Sequence, residues 1–445
     1  MNAVVLAVLI MLILSLFRIN VVIALVIGAL VGGIAGGLDI PTTIAIFTDG
    51  LGGNATVALS YAMLGGFAVA ISKTGLPDAM VDLALKIVGK NTDSSRKAYS
   101  RVLIIFIILA ISISSQNVIP VHIAFIPILI PPLLKVFNEL RIDRRLIAVV
   151  ITFGLTTPYM LLPVGFGEIF HGILQEYMAD SGLTVAQNDI PIAMIIPVAG
   201  MIMGLLVGVF GTYRKPKEYK TIEFTNQTSD VKVYTKKSIF FAIIAVLVSL
   251  SVQLWLTQVY DVDGMIIGAL AGIVVIYISG SMKLNQADEL LTGGMKMMAF
   301  IGFVMIAASG FASVLRETGD VERLVEKSAA LIGENQSLAA LMMLIVGLLI
   351  TMGIGSSFST IPIIATIFVP LSLELGFSTM ATIAIVGTAA ALGDAGSPAS
   401  DSTLGPTSGL NVDGQHNHIW DTCVPTFVHY NIPLIVFGWL AAMVL

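Results

Sequence analysis

The stretch Ser114-Ser115-Gln116-Asn117-Val118-Ile119-Pro120 places short polar side chains in the middle of an apolar run, and the chain does this twice. About half the chain later, the same pattern returns as Ser356-Ser357-Phe358-Ser359-Thr360-Ile361-Pro362. Polar groups survive at membrane depth only where they line a cavity bounded by protein. A duplicated break of this kind is typical of the central binding site of a secondary transporter.

Composition places the whole chain in a lipid bilayer. Of its 445 residues, 56% are hydrophobic and 11% are charged, with a mean hydropathy of +0.95, whereas soluble domains carry about 25% charged residues. Apolar runs of about 20 residues recur, the length of a membrane-spanning helix. We therefore expect an all-α polytopic protein of the plasma membrane, the inner membrane of a bacterium. No P-loop or soluble catalytic domain is visible, so we expect neither an enzyme nor a nucleic-acid partner.

The distribution of Lys and Arg predicts the topology. Two loops, 75–101 and 135–145, are rich in Lys and Arg, which favours a cytoplasmic location for both. The segment between them must then enter and leave on one side, as a re-entrant hairpin over residues 102–134. A second hairpin is predicted over 337–375. Because the acidic segment 316–336 precedes it, this hairpin is expected to open from the opposite face.

The spacing of the breaks predicts an inverted repeat. Glycine and proline interrupt the apolar span that follows each hairpin, which predicts two discontinuous helices, at 146–172 and 379–410. Each half then has five spans, an odd number that inverts the second half. The predicted units are a first repeat over 1–213, a cytoplasmic linker over 214–237 and a second repeat over 238–445. Short amphipathic stretches at 77–91 and 320–335 are expected to lie along the membrane interface.

The apolar part of the chain with the highest density of carboxylate and hydroxyl side chains is Gly393-Asp394-Ala395-Gly396-Ser397-Pro398-Ala399-Ser400-Asp401-Ser402-Thr403. Two carboxylates and four hydroxyls inside a span are costly unless they are solvated or liganded. An exposed loop is the alternative, but the apolar residues 379–392 lead directly into the segment. Sodium binds carboxylate, hydroxyl and unwound carbonyl oxygens, and a desolvated carboxylate can hold a proton instead. One site that exchanges the two ions is the minimum that antiport requires.

This motif, preceded by Gly-Ser-Ser-x-Ser-Thr at 355–360, resembles the NhaC-type sodium/proton antiporter family within the ion transporter superfamily. The resemblance covers most of the chain and implies an inverted-repeat fold, opposed hairpins, sodium coupling and a homodimer of the elevator type. The familiar motif has His-Cys after Gly-Asp, where this chain has Ala395-Gly396. Relatives also move amino acids and small carboxylates. A sodium/proton antiporter is therefore the first interpretation, and a sodium- or proton-coupled carrier of a small organic solute is the alternative.

The candidate binding residues come from the two hairpin tips and the two discontinuous helices. They are Ser114, Ser115, Gln116, Asn117, Thr156, Thr157, Ser356, Ser357, Ser359, Thr360, Asp394, Ser397, Ser400, Asp401, Ser402 and Thr403. The tips could bind sodium, bind a substrate carboxylate at their helix N-termini, or only cap the hairpin helices. Sodium is the only cofactor or metal expected.

Other polar residues have simpler interpretations. Glu168 is a candidate proton carrier or substrate contact, or an ordinary interfacial carboxylate; His122 is a candidate of the same kind, or a packing residue. His416 and His418 are predicted to lie in a polar loop without a zinc site, because no acidic or cysteine partner stands at ligand spacing. Gly28, Gly32 and Gly36 form a stripe of small residues that permits close helix contact, within the chain or between subunits.

Overall fold

The structure is a computed structural model, and it describes residues 2–76, 79, 94–117, 122–164, 166–220, 235–260, 262, 264–282, 284–320, 323–324 and 335–445. Over these ranges the regular secondary structure is entirely helical. The helices are α1 Ala3–Leu16, α2 Val21–Ala35, α3 Ile40–Gly50, α4 Ala55–Ser72, α5 Ser94–Asn117, α6 His122–Glu139, α7 Arg144–Leu161, α8 Phe166–Asp180, α9 Asp189–Leu206, α10 Lys236–Tyr260, α11 Met265–Ile278, α12 Leu284–Glu317, α13 Gln336–Ile354, α14 Ser357–Glu374, α15 Thr379–Ala391, α16 Asp401–Leu410 and a final helical segment, α17, over His418–Val444.

The helices have the length and composition of membrane spans. Six of those in the described part of the chain are long and apolar enough to cross a bilayer alone. Two bent pairs raise the number to eight if each pair is one span: Ile40–Gly53 with Ala58–Ile71, bent by 45°, and Arg144–Leu161 with Phe166–Asp180, bent by 46°. The chain is a multi-pass protein of the plasma membrane. The expectation of five spans in each repeat stays a prediction, and the stretches 77–91 and 320–335 lie largely outside the described residues.

In the first half, residues 114–117 of the predicted tip are helical, and the discontinuous helix breaks after Leu161, within the predicted 146–172. Residues 114–117 are still helical in α5, and the connection that follows, 118–121, lies outside the described residues. In the next segment α7 continues through Pro158 and ends at Leu161, and α8 runs on to Asp180 rather than ending at 172. A proline inside a helix costs about 3 kcal/mol. Because nearly every side chain of α7 is buried, packing offsets that cost and the helix survives the proline.

In the second half the helices are interrupted at the two polar motifs, 355–360 and 393–403. Gly355 ends α13 in the left-handed conformation, with φ of 78°, and α14 begins two residues later. The non-helical segment 392–400 separates α15 from α16 and contains Gly393 with φ of 91°. A Cβ at that position would lie 2.9 Å from the backbone nitrogen of Met352, so the close approach of α13 to this segment also requires glycine.

The two halves are interlocked through their hairpins. The first arm of each hairpin packs on the first part of the discontinuous helix of its own half, α5 on α7 and α13 on α15. The second arm crosses to the other half, α6 to α16 and α14 to α8. In α16, Gly405 and Gly409 let the helix approach the side chains of Ile126 and Ile130 on α6. The discontinuous helices therefore lie at the centre, with one hairpin on each side.

The glycine stripe of α2 makes its close contacts inside the chain. A Cβ at Gly32 would lie 2.7 Å from the Cβ of Ala7 on α1 and 3.3 Å from a methyl group of Leu315 on α12. Gly28 faces the same two helices. Of the two interpretations of the stripe, the structure supports contact within the chain.

Candidate functional site

The length of α16 indicates at what depth in the membrane the acidic segment is expected. At 1.5 Å per residue, the ten residues of α16 span about 15 Å, half of a hydrocarbon core of about 30 Å. The helix ends at Leu410, whose carbonyl accepts a hydrogen bond from Arg144, in the basic region predicted to be cytoplasmic. Asp401, the first residue of α16, is therefore expected about halfway across the bilayer.

Asp394 lies where three elements meet. The Tyr159 hydroxyl on α7 donates to Asp394 Oδ2 over 2.6 Å, and Ser400 Oγ donates to Oδ1 over 3.1 Å. The same Tyr159 hydroxyl lies 3.0 Å from Oγ of Ser357, at the tip of the second hairpin. The carboxylate is 7% exposed. One buried carboxylate thus joins the first half, the second hairpin and the non-helical segment.

Asp401, unlike Asp394, has a carboxylate oxygen that receives no hydrogen bond from the described residues. Its Oδ1 is buried and has no hydrogen-bond partner in the described part of the chain. Tyr61 on α4 is fully buried, its hydroxyl is likewise without a partner there, and it interacts electrostatically with Asp401. Asp394 is also close enough to Asp401 to interact with it. A buried carboxylate oxygen that receives no protein donor is suited to a proton or a cation.

The non-helical segment is held by side chains of other helices. Asn431 on α17 accepts from Gly393 N over 3.1 Å and donates to the carbonyl of Ala395 over 2.6 Å. A ring nitrogen of His418 lies 2.9 Å from the carbonyl of Pro398. These contacts satisfy backbone groups that an unwound segment leaves open at membrane depth. The carbonyls and hydroxyls of the segment are thereby fixed in position.

The hydroxyls of the segment mostly bond to nearby backbone. Thr403 donates to the carbonyls of Ser397 and Ser400, and Ser397 Oγ donates to the carbonyl of Met352 over 3.3 Å. Ser402 contributes its carbonyl, which accepts from Thr152 of α7 over 2.8 Å. These oxygens keep lone pairs that a cation could use.

On α7 the two predicted threonines differ. Thr156 Oγ1 donates to the carbonyl of Thr152 over 2.8 Å, an ordinary bond within the helix. Thr157 Oγ1 is buried and has no partner among the described residues. Thr157 therefore remains available to a ligand.

The tip of the first hairpin is only partly described. Ser114 is exposed and donates to the carbonyl of Ala110, while Ser115 is buried and donates to that of Ser112. The side chains of Gln116, Asn117 and His122 lie outside the described residues.

Of the predicted residues at the tip of the second hairpin, one contacts the Asp394 cluster and the others, in the described part of the chain, do not. Ser357 joins the Asp394 cluster, as described above. Ser356 makes no side-chain capping bond, Ser359 is exposed, and Thr360 donates to the carbonyl of Ser356. Glu168 is exposed in the first turn of α8, where no described contact joins it to the cluster.

A buried ion pair closes the cytoplasmic end of the two discontinuous helices. Arg144 is fully buried at the start of α7 and makes two hydrogen bonds of 2.6 Å to Asp413, just beyond α16. The Tyr219 ring of the linker covers the guanidinium at 4.4 Å. Burial raises the pKa of Asp413, but the hydrogen bonds and charge of Arg144 outweigh burial and hold that pKa below its usual value. From the sequence, Arg144 served only to predict the membrane topology, and its buried pairing with Asp413 was not predicted.

His416 lies in the connection between α16 and α17, as expected, whereas the expectation that His418 lies in a loop is wrong. Both are buried, and His418 begins α17. Nε2 of His416 lies 2.7 Å from the Thr422 hydroxyl, which Thr407 Oγ1 approaches within 2.9 Å. Burial, followed by the charge of Arg144, lowers the pKa of His416 to about 3. In the described ranges, no three His, Cys, Asp or Glu side chains form a group that could hold a metal.

These features define an integral membrane protein with a polar, carboxylate-bearing centre between two interlocked halves. The model of the Na+/H+ antiporter family matches residues 150–439, and a second model, also of a Na+-H+ antiporter family, matches residues 2–88. The chain belongs to the Na+/H+ antiporter family, and it is a membrane transporter.

Similar chains span its full length. A Bacillus subtilis (strain 168) protein named "Putative amino acid transporter YuiF" is 67% identical over 445 residues, which is 100% of both chains. A protein of Vibrio parahaemolyticus, described as an uncharacterized membrane protein, is 58% identical over 448 residues and 100% of both chains. Among solved structures, the Alcanivorax borkumensis YdaH transporter has 16% identity and a TM-score of 0.42, covering 91% of this chain and 88% of its own.

Proposed function

We propose that the protein is a sodium/proton antiporter that exchanges the two ions at the segment between Asp394 and Asp401. The supporting observation is the difference between these carboxylates. Asp394 receives hydroxyl donors at both oxygens, whereas Asp401 has a buried oxygen with no donor in the described chain. A proton or a sodium ion can occupy that position in turn, and each excludes the other by charge.

The sodium ligands in this proposal are all oxygens. Asp401 supplies the carboxylate, the unwound segment supplies hydroxyls and carbonyls, and Thr157 and Tyr61 supply hydroxyls without a described partner. Hard oxygen donors of this kind suit sodium at a broken helix. Tyr159 acts indirectly, because its hydroxyl orients Asp394 rather than contacting the ion.

The proposal includes alternating access on an inverted repeat with two re-entrant hairpins. At the second hairpin, Gln336 at the start of α13 donates to the carbonyl of Leu375 just after α14, so the outer ends of the two arms lie together. At the first, Arg101 of α5 donates to the carbonyl of Leu140 beyond α6. Re-entry requires arms whose outer ends lie together. Two complete crossings would share this feature, because α13 and α14 are each long enough to span a bilayer; re-entry therefore stays a prediction. Assembly into a homodimer stays a prediction from the resemblance.

The second candidate is a sodium- or proton-coupled carrier of a small organic solute. The name of the Bacillus subtilis relative supports it, as do the polar groups of the hairpin tips, which exceed what one small cation needs. In this version sodium occupies the same segment, and the solute carboxylate binds near Ser357 at the N-terminus of α14.

Reconstitution in liposomes separates the two candidates. Purified protein is placed in vesicles that contain a pH-sensitive dye, and a sodium gradient is imposed with no organic solute present. Antiport predicts proton movement opposite to sodium, at a rate that depends on protein and sodium. In parallel, thermal unfolding is measured against amino acids and small carboxylates, with and without sodium, because a ligand that binds the native state raises its stability.

The outcomes are distinct. Sodium-driven proton flux, with no solute that stabilises the protein, supports antiport. A sodium-dependent thermal shift with one organic solute, together with absent proton flux, would replace antiport by solute transport. If neither sodium nor any solute moves protons or stabilises the protein, both candidates fail.

A further inference from the structure

A second polar site lies outside the carboxylate segment. A cleft of about 240 Å³ opens between the α1–α2 turn and the start of α17. At roughly 30 Å³ per water, this volume holds about eight water molecules or a small organic acid. Its lining residues are Ser15, Arg18, Ile19, Asn20, Val21, Phe300, Asn411, Asn417, His418 and Ile419.

The lining contains hydrogen-bond donors and no negative charge. Asn20 accepts a backbone bond from Val22, Asn417 from Trp420 and Asn411 from His416. Because those bonds use the amide oxygens, each side chain keeps its NH₂ group as a donor. Arg18 adds a guanidinium, which carries donors and no acceptor. A site with this composition disfavours a cation.

Two helix N-termini meet at the cleft. Asn20 is the N-cap of α2 and Asn417 is the N-cap of the helical segment that begins α17, and the residues that follow both caps line the cleft. A helix N-terminus presents unpaired N–H groups and the positive end of the helix dipole. Both ends favour negative charge, although at the second one the Asp421 carboxylate already accepts from Asn417 N over 2.8 Å.

A buried hydroxyl provides an independent indication. Ser15 is 1% exposed and lines the cleft, and its Oγ has no hydrogen-bond partner among the described residues. Serine inside a helix usually bonds to the preceding turn when it has no other partner. A buried hydroxyl beside a polar cleft, without that bond, is suited to a ligand in the cleft.

We propose that this cleft binds an oxyanion: the phosphate or carboxylate of a small molecule, or the head group of an anionic lipid. Arg18 is the principal charged contact, and the Ser15 hydroxyl and the asparagine amides complete the set of donors. Both sources share this chemistry, and the exposed Phe17 beside the cleft places the site within reach of lipid. The cleft shares His418 with the contact to Pro398, but the proposal does not depend on which substrate is transported.

The test uses the full-length protein in neutral detergent, with thermal unfolding as the readout. One arm titrates inorganic phosphate at constant ionic strength, and the other titrates short-chain phosphatidylglycerol against phosphatidylcholine. In at least one arm the anion should raise the unfolding temperature of the unmodified protein. Arg18→Gln should weaken that binding roughly tenfold or more, because it removes a charged donor.

Arg141→Gln is the matched control. Arg141 is the other non-glycine residue of the described chain with positive φ, 53° against 65° for Arg18. Its side chain is exposed and pairs with Glu218 rather than lining the cleft. The two substitutions therefore carry the same change of charge and the same backbone strain, and Arg141→Gln should bind the probe as the unmodified protein does.

Ser15→Ala keeps the proposal testable if Arg18→Gln does not fold. It should weaken binding of the probe without lowering the unfolding temperature of the free protein. Phosphate alone as the stabilising probe identifies a small-molecule site, and phosphatidylglycerol alone identifies a lipid site. The proposal is overturned if neither probe stabilises the protein, if Arg18→Gln and Ser15→Ala both bind normally, or if Arg141→Gln is weakened equally.

Discussion

The two discontinuous helices occupy corresponding places but differ in chemistry. The first, α7–α8, breaks after Leu161 and bends by 46°, and Glu168 in the first turn of α8 is exposed. The second, α15–α16, breaks over 392–400 and carries Asp394 and Asp401. The first helix contributes hydroxyls to the second, through Tyr159 and Thr152. The two carboxylates therefore lie in one half of the chain, and hydroxyl donors that contact their segment lie in the other.

The largest effect is expected from removing the unpartnered charge of the second helix. Asp401→Asn should reduce sodium-driven proton flux in liposomes to that of empty vesicles. Because its Oδ1 has no described donor to lose, the free energy of unfolding should change by about 1 kcal/mol or less. Glu168→Gln, the corresponding change in the first helix, should transport normally. Equal losses in the two variants would contradict the division of charge between the halves.

A large effect on stability is expected where the two helices are joined at their cytoplasmic ends. Asp413→Asn leaves Arg144 buried without its counter-charge, which should lower the free energy of unfolding by about 3–5 kcal/mol. Glu218→Gln removes the partner of Arg141 in a pair whose side chains are 61% and 77% exposed, and it should cost about 0–1 kcal/mol. Chemical denaturation of both variants measures the difference. A loss below 1 kcal/mol for Asp413→Asn would show that the pair is dispensable.

The bond between the halves should have an intermediate effect. Tyr159→Phe removes the donor to Asp394 and the contact with Ser357 while keeping the aromatic ring. Loss of a hydrogen bond to a charged group should cost about 1.5–3 kcal/mol. Transport should become slower and change its pH dependence, since Asp394 loses a donor that stabilises its ionised form. An unchanged pH profile would mean that Tyr159 only packs.

The loop after the second helix should also make stability depend on pH. Burial lowers the pKa of His416 to about 3, against 6.5 in the unfolded chain. Below pH 6.5 His416 becomes protonated in the unfolded chain, whereas in the folded protein it stays neutral until about pH 3. The contribution of His416 to stability is therefore complete above pH 6.5 and declines as the pH falls.

Between pH 6.5 and pH 5 the expected decline is about 2 kcal/mol. In His416→Gln this part of the pH dependence should disappear from thermal unfolding curves, which serves as the internal control. The same slope in both proteins would assign the pH dependence to other groups.

The sequence identified the acidic segment because its residues are unusual for a membrane span. Asp394, Asp401 and Ser357 were all found from polarity in an apolar setting. Glycine, proline and serine predicted the break between α15 and α16, whereas the hairpins were predicted from the charge distribution and stay a prediction. Within the predicted discontinuous helix 146–172, α7 continues through Pro158, because the burial of α7 overrides the breaking signal of that proline.

The residues that were missed carry no local signal. Tyr61, Tyr159 and Asn431 are single polar residues among apolar neighbours, and their partners are distant in sequence: 235 residues separate Tyr159 from Asp394. Arg144 and Asp413 lie 269 residues apart. In the sequence, each is therefore interpreted separately, as a charge at the membrane interface. His418 was misplaced because a polar sequence between helices resembles a loop, although His418 begins α17 and, like His416, is buried.

The crossing of hairpin arms between the halves also constrains how the protein is made. Translation delivers α6 and α8 to the membrane well before α16 and α14, the helices on which they pack. Until the second half is inserted, the contact faces of α6 and α8 and the hydroxyl of Tyr159 therefore lack these partners. Contacts of such long sequence separation slow folding. The first half of the chain therefore cannot complete its packing before the second half has been inserted.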